Sequence, residues 1–107
     1  MMLPDADVAT IHPDKILRYL LDSTNPNSQG KPKFFGILGY QRSTWGRLHD
    51  DLLAHGRAHS VLKVQQIEVS GAERFTIEGV LTGPNGKSRW IRTVWDRDPG
   101  SDGPRLI

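Results

Sequence analysis

The chain has 107 residues, a formal net charge of +2 and no cysteine. That length suits one domain with a modest core, and the missing thiols exclude disulfides and thiolate chemistry. A net charge this small, with both signs spread along the chain, permits nucleic-acid binding without arguing for it.

No run of about 18 apolar residues is present, so no transmembrane helix is expected, and the N-terminus lacks the basic-then-apolar layout of a signal peptide. A cytoplasmic protein without membrane contact is the expectation that follows, and the absence of cysteine agrees with a reducing compartment. Residues 1–11 read as an irregular lead-in to one domain spanning residues 1–107.

His12-Pro13-Asp14 starts a helix: proline suits the first turn, and an acid favours the positive end of the helix dipole. Ile16, Leu17, Leu20 and Leu21 then form an apolar stripe, and the helix is predicted to end near Asp22. Residues 23–33, STNPNSQGKPK, read as a polar loop carrying Lys31 and Lys33. Residues 34–40, FFGILGY, read as a short helix capped by Gly39.

Ser43 is a suitable N-cap for a helix over residues 44–55, with Trp45, Leu48, Leu52 and Leu53 inward and Gly56 as its stop. Residues 60–70, SVLKVQQIEVS, are rich in β-branched side chains and predict a strand.

Residues 74–95, RFTIEGVLTGPNGKSRWIRTVW, give the clearest signal. Phe75, Ile77, Gly79 and Leu81 alternate with Arg74, Thr76, Glu78 and Val80, and Gly83-Pro84-Asn85-Gly86 supplies hairpin chemistry. On the return strand, about 87–96, Trp90, Arg92 and Val94 share one face and Ile91, Thr93 and Trp95 the other. The two tryptophans therefore point to opposite sides; such an aromatic is either core packing or a stacking platform for a base. Residues 96–103 form a loop, and residues 104–107 begin a last strand. The predicted fold class is α+β, with two to three N-terminal helices packed on one face of a three- to four-stranded antiparallel meander.

Among chemical constellations, His55 and His59 are four apart, the spacing of two metal ligands on one helical face, but Gly56 is expected to break the helix between them and no third ligand is apparent. No metal and no cofactor are expected. The glycines match neither a dinucleotide fingerprint nor a P-loop, and no nucleophile elbow is present. What remains is a basic and hydroxylic set: His12, Lys15, Lys31, Lys33, His49, Arg89, Arg92, Thr93 and Arg105. Metal-free RNA cleavage needs a base for the 2′-hydroxyl, cations for the phosphorane charge and an acid for the leaving oxygen, roles open to these side chains. Each also has a plainer reading: His12 as a helix cap, Lys31 and Lys33 as solvated loop charges, His49 at the core edge, Arg92 paired with Glu78 across the hairpin.

HPDKILRYLLD, GKPKFFGILGY, GVLTGPNGKSRWIRTVW and the ending GPRLI together resemble an uncharacterised, toxin-associated bacterial domain family, over residues 12–107. The layout also resembles the metal-independent ribonuclease fold of barnase, RelE-type and colicin-type toxins. This second resemblance implies His12, Lys15, Lys31 and Arg105 as catalytic residues, with Trp95 in the site. Lys33, His49 and Arg92 join as candidate binding residues from the basic set. RNA is the implied substrate, and a cognate antitoxin or immunity protein the implied partner. In the family the last strand continues into a threonine-containing tail, whereas here the sequence stops at Ile107; if that tail supplies a hydroxyl to the site, the expectation is an inactive or incomplete domain. Two other readings stand beside the ribonuclease: a non-catalytic binding module (immunity, adaptor or mobile-element accessory protein), and a protein that oligomerises through the edge left by its last strand.

Overall fold

The computed structural model describes residues 1–107. Helical elements come first: a 3-10 turn (Ala6–Val8), α1 (Pro13–Lys15) running into a π-helical segment (Ile16–Leu20), α2 (Lys31–Ile37), a 3-10 turn (Arg42–Thr44) and α3 (Trp45–Ala58). Four strands follow, β1 (Val61–Gln66), β2 (Glu73–Thr82), β3 (Ser88–Arg97) and β4 (Arg105–Leu106), in the sheet order β1-β2-β3-β4 with every pair antiparallel. This is the α+β arrangement that the pattern of helices before strands predicts.

The hairpin is built as its alternation dictates. Phe75, Ile77 and Leu81 of β2 and Thr93 and Trp95 of β3 are buried, while Val80, Trp90 and Arg92 lie on the uncovered face. Glu78 pairs in register with Arg92 and Val80 with Trp90. Opposite the buried face, Ile16, Leu20, Phe35, Leu38, Leu48 and Leu52 from the helices complete one core. Apolar burial at about 25 cal/mol per Å² is the main force holding helices to sheet.

Several local expectations are corrected. Lys31 and Lys33 are not on a loop: they occupy the first turn of α2, which starts at Lys31 behind Gly30 in the left-handed region (φ 80°) with Pro32 near its N-terminus. Ser43 does not cap α3; it sits within the preceding 3-10 turn. Gly56 does not stop α3, which runs two residues further to Ala58. The glycine is there for packing: a Cβ on Gly56 would lie 2.6 Å from Cζ2 of Trp95, so only glycine admits the buried indole. β1 ends at Gln66 rather than Ser70, because Ile67 N–H and Gly71 N–H turn to Ala72 and Ile67 carbonyls and close a turn.

The N-terminal lead-in is packed into the body. Leu3, Ala9 and Ile11 are buried, Val61 N–H donates to the Met1 carbonyl, and Thr10 forms a parallel bridge with Arg105 on the outer side of β4.

Candidate functional site

β4 is two residues long and β3 is ten, so most of the outer edge of β3 extends past its partner. The last bond along that edge runs from Ile107 N–H to the Val94 carbonyl at 3.0 Å. Beyond it, between the β3 edge and the first two helices, opens a cleft of about 350 Å³. Its floor is apolar, from Leu20, Phe34, Phe35, Leu52, Ile91 and Leu106. Its rim carries Lys15, Lys31 and Arg92, with Tyr19; the buried Thr93 lines it from within, and no lining side chain is acidic.

Local structure brings the two lysines together. Lys15 and Tyr19 are four apart across the junction of α1 with the π-helical segment, a wide turn of the kind often found at functional sites. Lys15 Nζ stands 4.9 Å from the Tyr19 ring centroid. Because α2 begins at Lys31, Lys31 Nζ reaches the same ring at 5.1 Å. Neither lysine is in an ion pair. Cation–π contact holds the ammonium groups in place without neutralising them.

Arg92 is fixed differently. Its Nε donates to Glu78 Oε1 at 2.8 Å, the cross-hairpin pair anticipated from register, and this bond first of all holds the Glu78 carboxyl below its ordinary range. Arg92 also lines a larger, shallow hollow of about 600 Å³ on the uncovered sheet face, with Lys63, Arg74 and Thr76. Arg92, Val94 and Ile107 therefore line both the cleft and the hollow on the open sheet.

Of the residues expected at a site, Lys15, Lys31 and Arg92 share this cleft, and Thr93 joins them. The others lie elsewhere. His12 is exposed at the start of α1, its Nδ1 accepting from Asp14 N–H at 3.0 Å as a helix cap. Lys33 is exposed on α2. His49 packs edge-on against Trp45, with Nδ1 3.0 Å from Asp50. Arg105 donates to Asp98 Oδ2 at 2.7 Å, which raises its pKa further. Trp95 is 0 % exposed and faces the core.

Sequence reasoning did not single out Tyr19, and it weighed His55 only with His59 as a pair at metal-ligand spacing. Tyr19 is where the two lysines meet. His55 is buried: its Nε2–H donates to the Gly79 carbonyl at 3.0 Å, and its Nδ1 lies 3.4 Å from Thr93 Oγ1, which accepts from Trp95 Nε1–H at 3.0 Å. Burial, its largest influence, lowers the His55 pKa; the bond to Gly79 opposes this and His59 reinforces it. Since α3 continues through Gly56, His55 and His59 do approach, with ring centroids 4.6 Å apart. No group of three or more His, Cys, Asp or Glu side chains is placed to hold a metal ion. No helix is long and apolar enough to cross a membrane.

Among solved structures, the fold is similar to a chain of the contact-dependent growth inhibition toxin–immunity protein complex from Klebsiella pneumoniae 342, with a TM-score of 0.70 and 13% sequence identity. The match covers 96% of this chain and 92% of that one. At this identity the likeness is one of fold. No curated protein matches the sequence. A family model described as "Domain of unknown function (DUF6883)" matches residues 2–107, and the chain belongs to that family.

Proposed function

We propose that the chain is the toxin-side domain of a toxin–immunity pair and cleaves RNA without a metal ion, with Lys15, Lys31 and Arg92 holding a backbone phosphate. The observation that carries this reading is the convergence of three cations on one cleft whose lining contains no aspartate or glutamate side chain. A cationic pocket without acidic side chains, set against a low-dielectric apolar floor, is suited to a phosphodiester, and more so to the phosphorane that forms from it. In the reaction solvent water takes the proton of a ribose 2′-hydroxyl as its oxygen bonds to phosphorus, and the bond from phosphorus to the 5′-oxygen of the next nucleotide breaks, leaving a 2′,3′-cyclic phosphate and a 5′-hydroxyl. The three cations stabilise the added charge, and a lysine ammonium of the cleft gives the departing oxygen its proton and is reprotonated from water. The similarity to a component of a toxin–immunity complex supports the setting.

A second reading has its own observation. His12 and Arg105 are engaged away from the cleft, one as a cap and one with Asp98, which favours a binding module that uses the same cations to hold an anionic partner.

The test is incubation of purified protein with total RNA and with tRNA in excess chelator, followed by gel analysis. Discrete fragments are expected, with cleavage reduced about 100-fold in Lys15→Ala, Lys31→Ala and Arg92→Ala, the typical cost of losing one preorganised charge-stabilising group. Intact RNA in the presence of wild-type protein, or cleavage that disappears in chelator, would sink the ribonuclease reading.

A further inference from the structure

The uncovered sheet face carries one large aromatic that the core does not use. Trp90 is 65% exposed, against 0% for Trp95 on the opposite face of the same strand. Only its edge is engaged, by a long hydrogen bond from Nε1 to Glu78 Oε2 at 3.4 Å. Glu78 accepts from Arg92 through its other oxygen, so one carboxylate fixes both side chains. Val80, directly across from Trp90 and 48% exposed, gives the ring an apolar neighbour.

The positions matter more than the exposure. Trp90 and Arg92 are two residues apart on one strand face, about 6.7 Å along the chain. That is close to the step of one nucleotide in an unstacked strand. Arg92 also lines the lysine cleft, and it is the cation common to that cleft and this face. A strand whose phosphate lies among Lys15, Lys31 and Arg92 therefore has its neighbouring base over the sheet, where Trp90 presents an unoccupied ring.

We infer that Trp90 is the stacking platform for the base next to the phosphate held in the cleft, making the open sheet face a single-stranded RNA subsite. The inference rests on the RNA reading of the cleft. Stacking of this kind tolerates any base, since every base has a π-face, so the subsite adds affinity and orientation rather than sequence choice. Glu78 orients the indole through Nε1 and the guanidinium of Arg92 through its other oxygen, so the two side chains are held side by side.

The experiment is a fluorescence titration with a 2′-O-methyl uridine octamer, which lacks the attacking hydroxyl and survives the assay. Wild-type protein is expected to bind with quenching of exposed tryptophan emission. Trp90→Ala is expected to weaken binding about tenfold and remove most of the quench. Trp90→Phe is expected to keep most of the affinity while losing the signal. A Lys15→Ala/Lys31→Ala double variant tests the cleft separately. If the double variant loses binding while Trp90→Ala keeps wild-type affinity, the stacking role is wrong and the phosphate site stands. If wild-type protein does not bind the octamer, the RNA reading fails and the stacking role goes with it. Because Trp90 supports no core contact, a thermal melt of Trp90→Ala should match wild type.

Discussion

Gly56 and Trp95 meet where α3 crosses the sheet, and the fit leaves no room for a methyl group. Gly56→Ala should therefore destabilise the protein by about 1–3 kcal/mol, the usual cost of overpacking a rigid core, despite alanine's better helix propensity. Urea unfolding checks this, and an unchanged midpoint would mean that the indole can move. His55 makes a pH prediction. Its folded pKa lies below its ordinary value of 6.5 because burial disfavours the charged ring. Above that value both folded and unfolded chains are neutral here. As pH falls through it, the unfolded chain takes up a proton that the fold resists, so stability decreases. Unfolding free energy measured between about pH 8 and pH 5 should fall with acidity in wild type, and fall less in His55→Gln, which keeps a donor for Gly79.

At the scale of elements, the N-terminal lead-in shows why an unpatterned segment need not be dispensable. Deleting residues 1–9 would remove Leu3 and Ala9 from the core, the Asp5 partner of Arg97 and the carbonyls of Ala6 and Asp7 that Arg57 holds. Loss of buried apolar side chains of this size typically costs about 2–5 kcal/mol. The melting temperature of the truncated chain should drop markedly, and an unchanged melt would show that these contacts are incidental. The early start of α2 has a functional consequence too. A loop would leave Lys31 swinging in solvent, whereas a helix turn behind Gly30 sets its ammonium over Tyr19.

For the whole molecule, a net charge of +2 gives weak long-range attraction for RNA, so the proposed binding would have to come from the local concentration of Lys15, Lys31 and Arg92. Among the sheet arginines, Arg74 pairs with Asp96, Arg97 with Asp5, Arg105 with Asp98 and Arg92 with Glu78, so a phosphate would share Arg92 with that carboxylate. With up to three phosphate contacts, the log–log salt dependence of octamer binding should have a slope of about −2, and Lys15→Ala should reduce its magnitude by about 0.7. A much steeper slope would mean that a broader surface takes part.

The hairpin from Arg74 to Trp95, the faces of its two tryptophans and the Glu78–Arg92 pair were all legible in the sequence. Period-two alternation and Asn-Gly chemistry fix faces and register locally. The order of helices before a meander was legible for a similar reason, since each element buries one patterned face. Element ends were less so: Gly56 reads as a stop until Trp95 is seen against it, and Lys31 reads as loop until Gly30 opens a helix beneath it. The cleft belongs to tertiary structure alone. Lys15, Lys31 and Arg92 lie far apart in the chain, on three elements, and no local pattern measures the distance between them. Packing of the helices on the sheet, and a β4 too short to cover the edge of β3, decide that they meet and that His12, His49 and Arg105 do not.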